Sequence, residues 1–126
     1  MRAVDTNVLV RLITRDDPRQ TMAAEHFIAP GAWVHTLVLA EAVWVLSTVY
    51  ELSSSDQVTA LQMLLDHREL VLHDRETVAA ALELFRARPA LGFSDCLVIE
   101  SARRAGHLPL GTFDRRLAKV DGAQKL

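Results

Sequence analysis

The sequence predicts an α/β fold in which a central, mainly parallel sheet of four to five strands lies between layers of helices. Two observations predict it. Short apolar strand segments alternate with longer helical segments along the chain, an order typical of parallel sheets that are covered by helices. In addition, half of the 126 residues are hydrophobic. A chain of this length buries roughly two thirds of its unfolded surface in one core. We therefore expect a single domain over residues 1–126.

Local signals place the elements of the first half. Asp17 followed by Pro18 marks a helix start, because Asp caps free backbone N–H groups and Pro fits the first helical position. Thr36 and the serines at 53–55 are the corresponding signals for two later helices. The predicted order is a strand over 2–5, a helix to about 14 capped by Thr6 or Asn7, a helix over 18–28, a strand over 32–35, helices over 36–50 and 56–67, and a strand over 70–73.

The second half continues the alternation. Asp74 is predicted to cap a helix that ends before Pro89, and a helix from about 95 to 105 stops at Gly106. A strand over 108–112 and a short helical turn to about 119 follow. Residues 123–126 are a candidate edge strand.

Four carboxylates stand in apolar segments: Asp5, Glu41, Asp95 and Asp114. Burying an ionised carboxylate costs several kcal/mol unless it is paired or bound to a metal. Glu41 shares a helix face with Leu37 and Trp44, and the opposite face is also apolar, so we expect Glu41 to be buried. One divalent cation shared by all four acids is the most economical explanation.

The predicted topology allows the four acids to meet. Asp5 and Asp114 end strands, Glu41 follows the second strand by about one and a half helical turns, and Asp95 begins a helix. Ligands of such folds bind beyond the carboxyl ends of the strands. Oxygen ligands suit Mg²⁺ or Mn²⁺ better than zinc. Such an ion supplies the deprotonated water and the charge stabilisation that phosphodiester hydrolysis needs. Without metal, at least one clustered carboxyl should have a raised pKa.

Each acid also has an ordinary structural interpretation. Asp5 could cap the helix that follows it, Asp95 could be a charge placed favourably at a helix N-terminus, and Asp114 could be a loop residue. A buried ion pair with an arginine would explain Glu41. These alternatives stay open at the level of sequence.

Four segments resemble the PIN domain, and in particular the VapC-type toxins of type II toxin–antitoxin pairs. They are Asp5-Thr6-Asn7-Val8-Leu9, the stretch 37–46 around Glu41, Gly92-Phe93-Ser94-Asp95-Cys96-Leu97-Val98 and Thr112-Phe113-Asp114-Arg115-Arg116-Leu117. The resemblance covers essentially the whole chain. It implies a PIN-like three-layer α/β/α sandwich and an endoribonuclease that depends on Mg²⁺ or Mn²⁺.

The resemblance also assigns roles. Carboxylates at the positions of Asp5, Glu41, Asp95 and Asp114 would surround one or two ions, and Asn7 and Thr112 would support them. A homodimer, a neutralising antitoxin protein and a transfer or ribosomal RNA substrate are further implications. Arg115 and Arg116 are candidate contacts to RNA phosphates, with Arg11 and Arg15 as weaker ones.

Composition bears on the cellular location and on possible partners. The net charge of −2 gives no polybasic signature, but an acidic metal site itself lowers the net charge. The single cysteine, the absence of a secretory signal pattern and the absence of an apolar run of about 20 residues lead us to expect a cytoplasmic protein. The rival functions are a non-catalytic PIN-like binding module and a Mg²⁺-dependent phosphatase. The phosphatase needs a second aspartate where this chain has Asn7.

Overall fold

The computed structural model describes all residues from 1 to 126 and confirms an α/β fold with parallel strands. The elements in chain order are β1 (Arg2–Ala3), α1 (Thr6–Thr14), α2 (Pro18–Ile28), β2 (Ala32–Val34), α3 (Thr36–Thr48), α4 (Ser54–Asp66), β3 (Leu70–Leu72), α5 (Arg75–Ala87), α6 (Phe93–Ala105), β4 (Leu110–Thr112) and β5 (Ala123–Lys125), with 3₁₀ turns at Pro89–Leu91 and Leu117–Lys119. None of the helices combines the length and apolar character needed to cross a bilayer.

The five strands are distributed over two sheets. One has the order β1-β2-β3 and the other consists of β4 and β5. The expected four to five strands are therefore present, but they form a three-stranded and a two-stranded parallel sheet. β1 is only two residues long and pairs with β2.

The chain divides into two compact units, Met1–Arg75 and Glu76–Leu126. In the first unit, α1 packs against α2 and α3, and α3 packs against α4. Alternation along the strands gives the sheet an inner and an outer face. Ala32 and Val34 of β2 are buried, whereas Trp33 between them is half-buried.

The second unit contains α5, α6 and the sheet of β4 and β5. Phe85 of α5 and Phe93 of α6 are buried, with ring centroids 6.1 Å apart. Cys96 is fully buried one turn further along α6. The connection from β4 to the parallel strand β5 includes the 3₁₀ turn at Leu117–Lys119, in which Leu117 is buried.

Several element boundaries differ from the predicted ones, each for a local reason. The first strand ends before Asp5, because the side chain of Asp5 caps α1. His35, not Thr36, caps α3, since its Nδ1 accepts a hydrogen bond from the N–H of Leu37 at 2.9 Å. The last long helix begins at Phe93 and not at 95, directly after Gly92, whose φ of +79° suits glycine.

Candidate metal centre

In the first unit, the start of α1 is linked to helix α3. Asp5 is the N-cap of α1, and its Oδ1 accepts a long hydrogen bond of 3.4 Å from the N–H of Val8. The next residue, Thr6, donates its hydroxyl to Oε2 of Glu41 at 2.9 Å. The contact spans 35 positions and brings the carboxylate of Glu41 within hydrogen-bond distance of the residue that follows Asp5.

Glu41 is exposed, which corrects the expectation that it is buried. Its neighbours on the same helix face are exposed as well, Leu37 by 60% and Trp44 by 62%. The buried face of α3 is the opposite one, with Leu39 and Leu46 among its residues. Both faces of this helix are apolar in sequence, so hydropathy did not distinguish the inner face from the outer.

The same correction applies to the other acids. Asp5 and Asp114 are exposed and Asp95 is half-buried. Their apolar sequence neighbours are buried, but the carboxylates themselves reach the surface. The cost of charge burial is therefore not the reason to infer a cation, and the inference has to depend on how the negative charges are placed and paired.

In the second unit, Asp95 and Asp114 influence each other. Asp95 lies in the first turn of α6, and Asp114 follows β4. Partial burial raises the pKa of Asp95, and the negative charge of Asp114 raises it further. A carboxylate that only complemented the helix dipole would be stabilised in its charged form. The raised pKa instead reflects burial first and the negative charge of Asp114 second, and both disfavour the charged form.

Asp114 is held in place by its own turn. Its Oδ1 accepts hydrogen bonds from the N–H groups of Leu117 at 2.9 Å and Arg116 at 2.8 Å. The bond from Leu117 is the main cause that lowers the pKa of Asp114. Thr112, half-buried at the end of β4, accepts a bond from the N–H of Asp114 through Oγ1 at 3.0 Å. Asp114 is thus a loop residue, as one interpretation of the sequence expected, and Thr112 helps to hold its backbone in position.

None of the four acids forms a salt bridge, although six other acidic residues do. The arginine pair that would explain Glu41 structurally is absent, and its partner is the hydroxyl of Thr6. Asp5 does cap α1, as its ordinary structural interpretation expects, but the hydrogen bond from Val8 is long and uses only one carboxylate oxygen. None of the four acids is therefore in a close ion pair, although the charges of Arg116 and Lys125 contribute to lowering the pKa of Asp114.

The remaining predicted residues lie as follows. Asn7 is exposed on α1 and lines an apolar groove of about 290 Å³ between α1 and α2, together with Val8 and Phe27. Arg115 and Arg116 are both exposed and form no salt bridge.

The two weaker arginine candidates are engaged in structural contacts. Arg11 binds Gln20, Tyr50 and Asp16 through its guanidinium. Arg15 forms a salt bridge with Glu25 at 2.5 Å. Both guanidinium groups stabilise the packing of the first unit, which disfavours them as phosphate contacts.

Sequence reasoning missed the role of Thr6, which it treated as a possible helix cap. The available signal was the hydroxyl directly after the acid at a strand end. Glu100, which the sequence did not single out, is only 13% exposed at its side chain and pairs with Arg103 at 3.4 Å.

The donor set fits a hard divalent cation. The ligands on offer are carboxylate oxygens supported by threonine hydroxyls, the chemistry that Mg²⁺ and Mn²⁺ prefer. Burial and the negative charge of Asp114 both disfavour the charged form of Asp95, and a bound cation would offset them. No group of three or more His, Cys, Asp or Glu side chains is assembled around a common point. The convergence of all four acids stays a prediction.

Comparison with known protein families matches residues 2–123 to the PIN domain. The match includes all four acids and both supporting positions. No curated protein and no solved structure matches the chain at a significant level.

Proposed function

Since the chain belongs to the PIN domain family, generally a metal-dependent nuclease fold, we propose that it is a Mg²⁺- or Mn²⁺-dependent endoribonuclease. The proposed site consists of Asp5, Glu41, Asp95 and Asp114. The observation that carries the proposal is the family match over residues 2–123, which includes all four acids. The negative charge of Asp114, which adds to burial in raising the pKa of Asp95, supports it.

Three of the four acids have one carboxylate oxygen in a hydrogen bond and a second oxygen free to bind an ion. Asp114 commits Oδ1 to its turn, so Oδ2 is the oxygen free to bind. Oε2 of Glu41 accepts a hydrogen bond from the Thr6 hydroxyl, which fixes the carboxylate, so Oε1 is the oxygen free to bind. Asp5 likewise uses one oxygen for its helix cap. Each side chain is thus oriented through one oxygen and offers the other, and this orientation limits the reorganisation needed on binding.

A bound cation would supply a deprotonated water and would stabilise charge at phosphorus. The protein would contribute the carboxylates that hold the ion and, through Arg115 and Arg116, positive charge for RNA phosphates. Thr112 keeps the Asp114 turn in position. Asn7 is proposed to support the site through its amide, in line with the family resemblance.

The test is cleavage of total cellular RNA by the purified chain with Mg²⁺ or Mn²⁺, beside an EDTA control and the Asp95→Asn variant. Discrete fragments that disappear in both controls are the expected result. The matched control is Glu83→Gln, which removes a 70% exposed carboxylate from α5 and should leave cleavage unchanged. A folded, metal-binding protein that cleaves no RNA would favour the non-catalytic binding module.

We further propose that the chain acts in the cytoplasm as the toxin of a VapBC-type pair. A cognate antitoxin protein, a homodimer and a transfer or ribosomal RNA substrate complete this proposal, which depends on the resemblance of the four motifs. The apolar groove beside Asn7 offers a surface for an antitoxin segment. Co-expression with the protein encoded next to it, followed by size-exclusion chromatography and an RNA cleavage assay, tests both neutralisation and oligomeric state.

A further inference from the structure

The largest exposed aromatic surface of the second unit is beside the proposed site. Phe113 is 76% exposed and stands between Thr112 and Asp114. Single exposed apolar residues are common on protein surfaces and need no explanation by themselves. The position of Phe113 does need one, because a phenyl ring adjoins an acid assigned to phosphodiester cleavage.

The backbone that carries this ring is fixed on both sides. The N–H of Asp114 bonds to the hydroxyl of Thr112 at 3.0 Å, and the N–H of Leu126 bonds to the carbonyl of Thr112 at 2.9 Å. The carbonyl of Phe113 accepts a hydrogen bond from Nζ of Lys125. The ring is therefore presented by an ordered loop, so a ligand that covers it pays little ordering entropy.

One basic side chain lies over the ring, and two more follow closely in the sequence. Nζ of Lys125 lies 5.7 Å from the centroid of the Phe113 ring, within the range of a cation–π contact. Arg115 and Arg116 follow two and three positions later, exposed and without salt bridges. An exposed aromatic ring with basic residues close to it is the combination with which proteins bind single-stranded nucleic acid, by stacking a base and contacting its phosphates.

We propose that Phe113 stacks an unpaired base of the RNA beside the phosphate that is cut, while Lys125 and Arg115 contact neighbouring phosphates. This inference depends on the proposed nuclease function and narrows its substrate to RNA that is single-stranded at the cleavage point. A base paired within a duplex does not expose its face to the ring.

Binding is measured first in EDTA, where no cleavage occurs, with a short fluorescein-labelled single-stranded RNA and the same sequence as a duplex. Phe113→Ala and Phe113→Leu should each weaken binding to the single strand by about tenfold. Phe113→Trp should retain the affinity and show fluorescence quenching above the wild-type background when RNA is added. Phe113→Leu separates stacking from simple apolar contact.

Two further variants serve as controls. Met22→Ala removes another exposed apolar side chain, 70% exposed on α2, and should bind RNA like the wild type. Arg115→Gln should reduce the slope of log K against log salt by about 0.7, the value for one lost phosphate contact on a single strand. Because Phe113 and Arg115 are exposed, these substitutions should affect folding no more than ordinary surface changes, and circular dichroism checks this.

The possible results separate the two proposals. Wild-type affinity in Phe113→Ala or Phe113→Leu, or an equal loss on duplex RNA, overturns the stacking role while cleavage by the wild type still supports the nuclease. Binding that depends on Phe113 without metal-dependent cleavage supports the stacking surface and overturns the nuclease. A wild-type protein that binds no RNA overturns both.

Discussion

The like-charge pair in the second unit predicts an unusual response to Asp95→Asn. In EDTA at pH 7, Asp95 is half-buried and is destabilised by its burial and by the charge of Asp114. Asparagine has the same shape without the charge. Removing a charge that is only partly buried at Asp95 is worth about 0.5 kcal/mol after screening by solvent, so the variant should be more stable than the wild type by that amount.

The expected temperature shift follows from the size of the chain. An unfolding entropy of about 2.1 cal/mol/K per residue over 126 residues gives about 0.26 kcal/mol/K for the whole protein. The unfolding temperature of Asp95→Asn should therefore rise by about 2 °C in EDTA. Mg²⁺ at one hundred times its dissociation constant stabilises a binding protein by about 2.7 kcal/mol. That corresponds to about 10 °C for the wild type and much less for the variant.

Thermal unfolding followed by circular dichroism, in EDTA and in Mg²⁺, measures both numbers. The reasoning predicts a crossover, with the variant more stable without metal and the wild type more stable with it. If Asp95→Asn is clearly less stable than the wild type in EDTA, its carboxylate has a structural role at the N-terminus of α6. If Mg²⁺ leaves the wild-type unfolding temperature unchanged, the metal site itself is refuted.

Other perturbations test separate parts of the structure. Glu41→Gln should reduce stabilisation by Mg²⁺ and barely change unfolding in EDTA, because the residue is exposed; an unfolded variant would indicate a structural role instead. Hydrogen bonds, first from Thr14, lower the pKa of Asp16. The carboxylate of Asp16 thus stabilises the fold above its ordinary pKa of 3.8, and this stabilisation is lost as pH falls through the lowered pKa. In urea titrations, Asp16→Asn should be less stable than the wild type near neutral pH, and this difference in the free energy of unfolding should disappear in strong acid. Burial raises the pKa of the Cys96 thiol to about 12, so iodoacetamide should modify it only after unfolding, as mass spectrometry can show; rapid modification of the native protein would contradict its burial. Phe85→Ala, at a ring only 1% exposed, should cost 3–5 kcal/mol and lower the unfolding temperature by about 10–20 °C, whereas a drop of a few degrees would mean that the core collapses around the gap.

Much of the secondary structure was accessible from sequence, since it depends on neighbours along the chain. Asp17 and Pro18 start α2 where the capping rules place its beginning, and Gly106 ends α6 in the left-handed conformation. One source of error at the boundaries is competition between two residues for one cap. Both Thr36 and His35 can serve α3, and only the orientation of the imidazole decides between them.

For the candidate site, the sequence identified the residues but gave a wrong reason for most of them. The four acids were found because each interrupts an apolar segment, and the PIN domain match includes them all. The reason first given for them, burial of charge, was wrong for Asp5, Glu41 and Asp114, which are exposed. Hydropathy along a chain reports the environment of the segment. It does not report where a flexible side chain places its charged end.

The sequence by itself determined the alternation of helices and parallel strands, the helix starts and the identity of the acids, because these depend on local backbone chemistry and residue type. The tertiary structure alone decided which face of α3 is buried, that Thr6 bonds Glu41 across 35 positions, and that Phe113 is exposed beside Asp114. These features depend on contacts between distant segments. Such contacts form only when the packing of whole elements fixes the direction of each side chain.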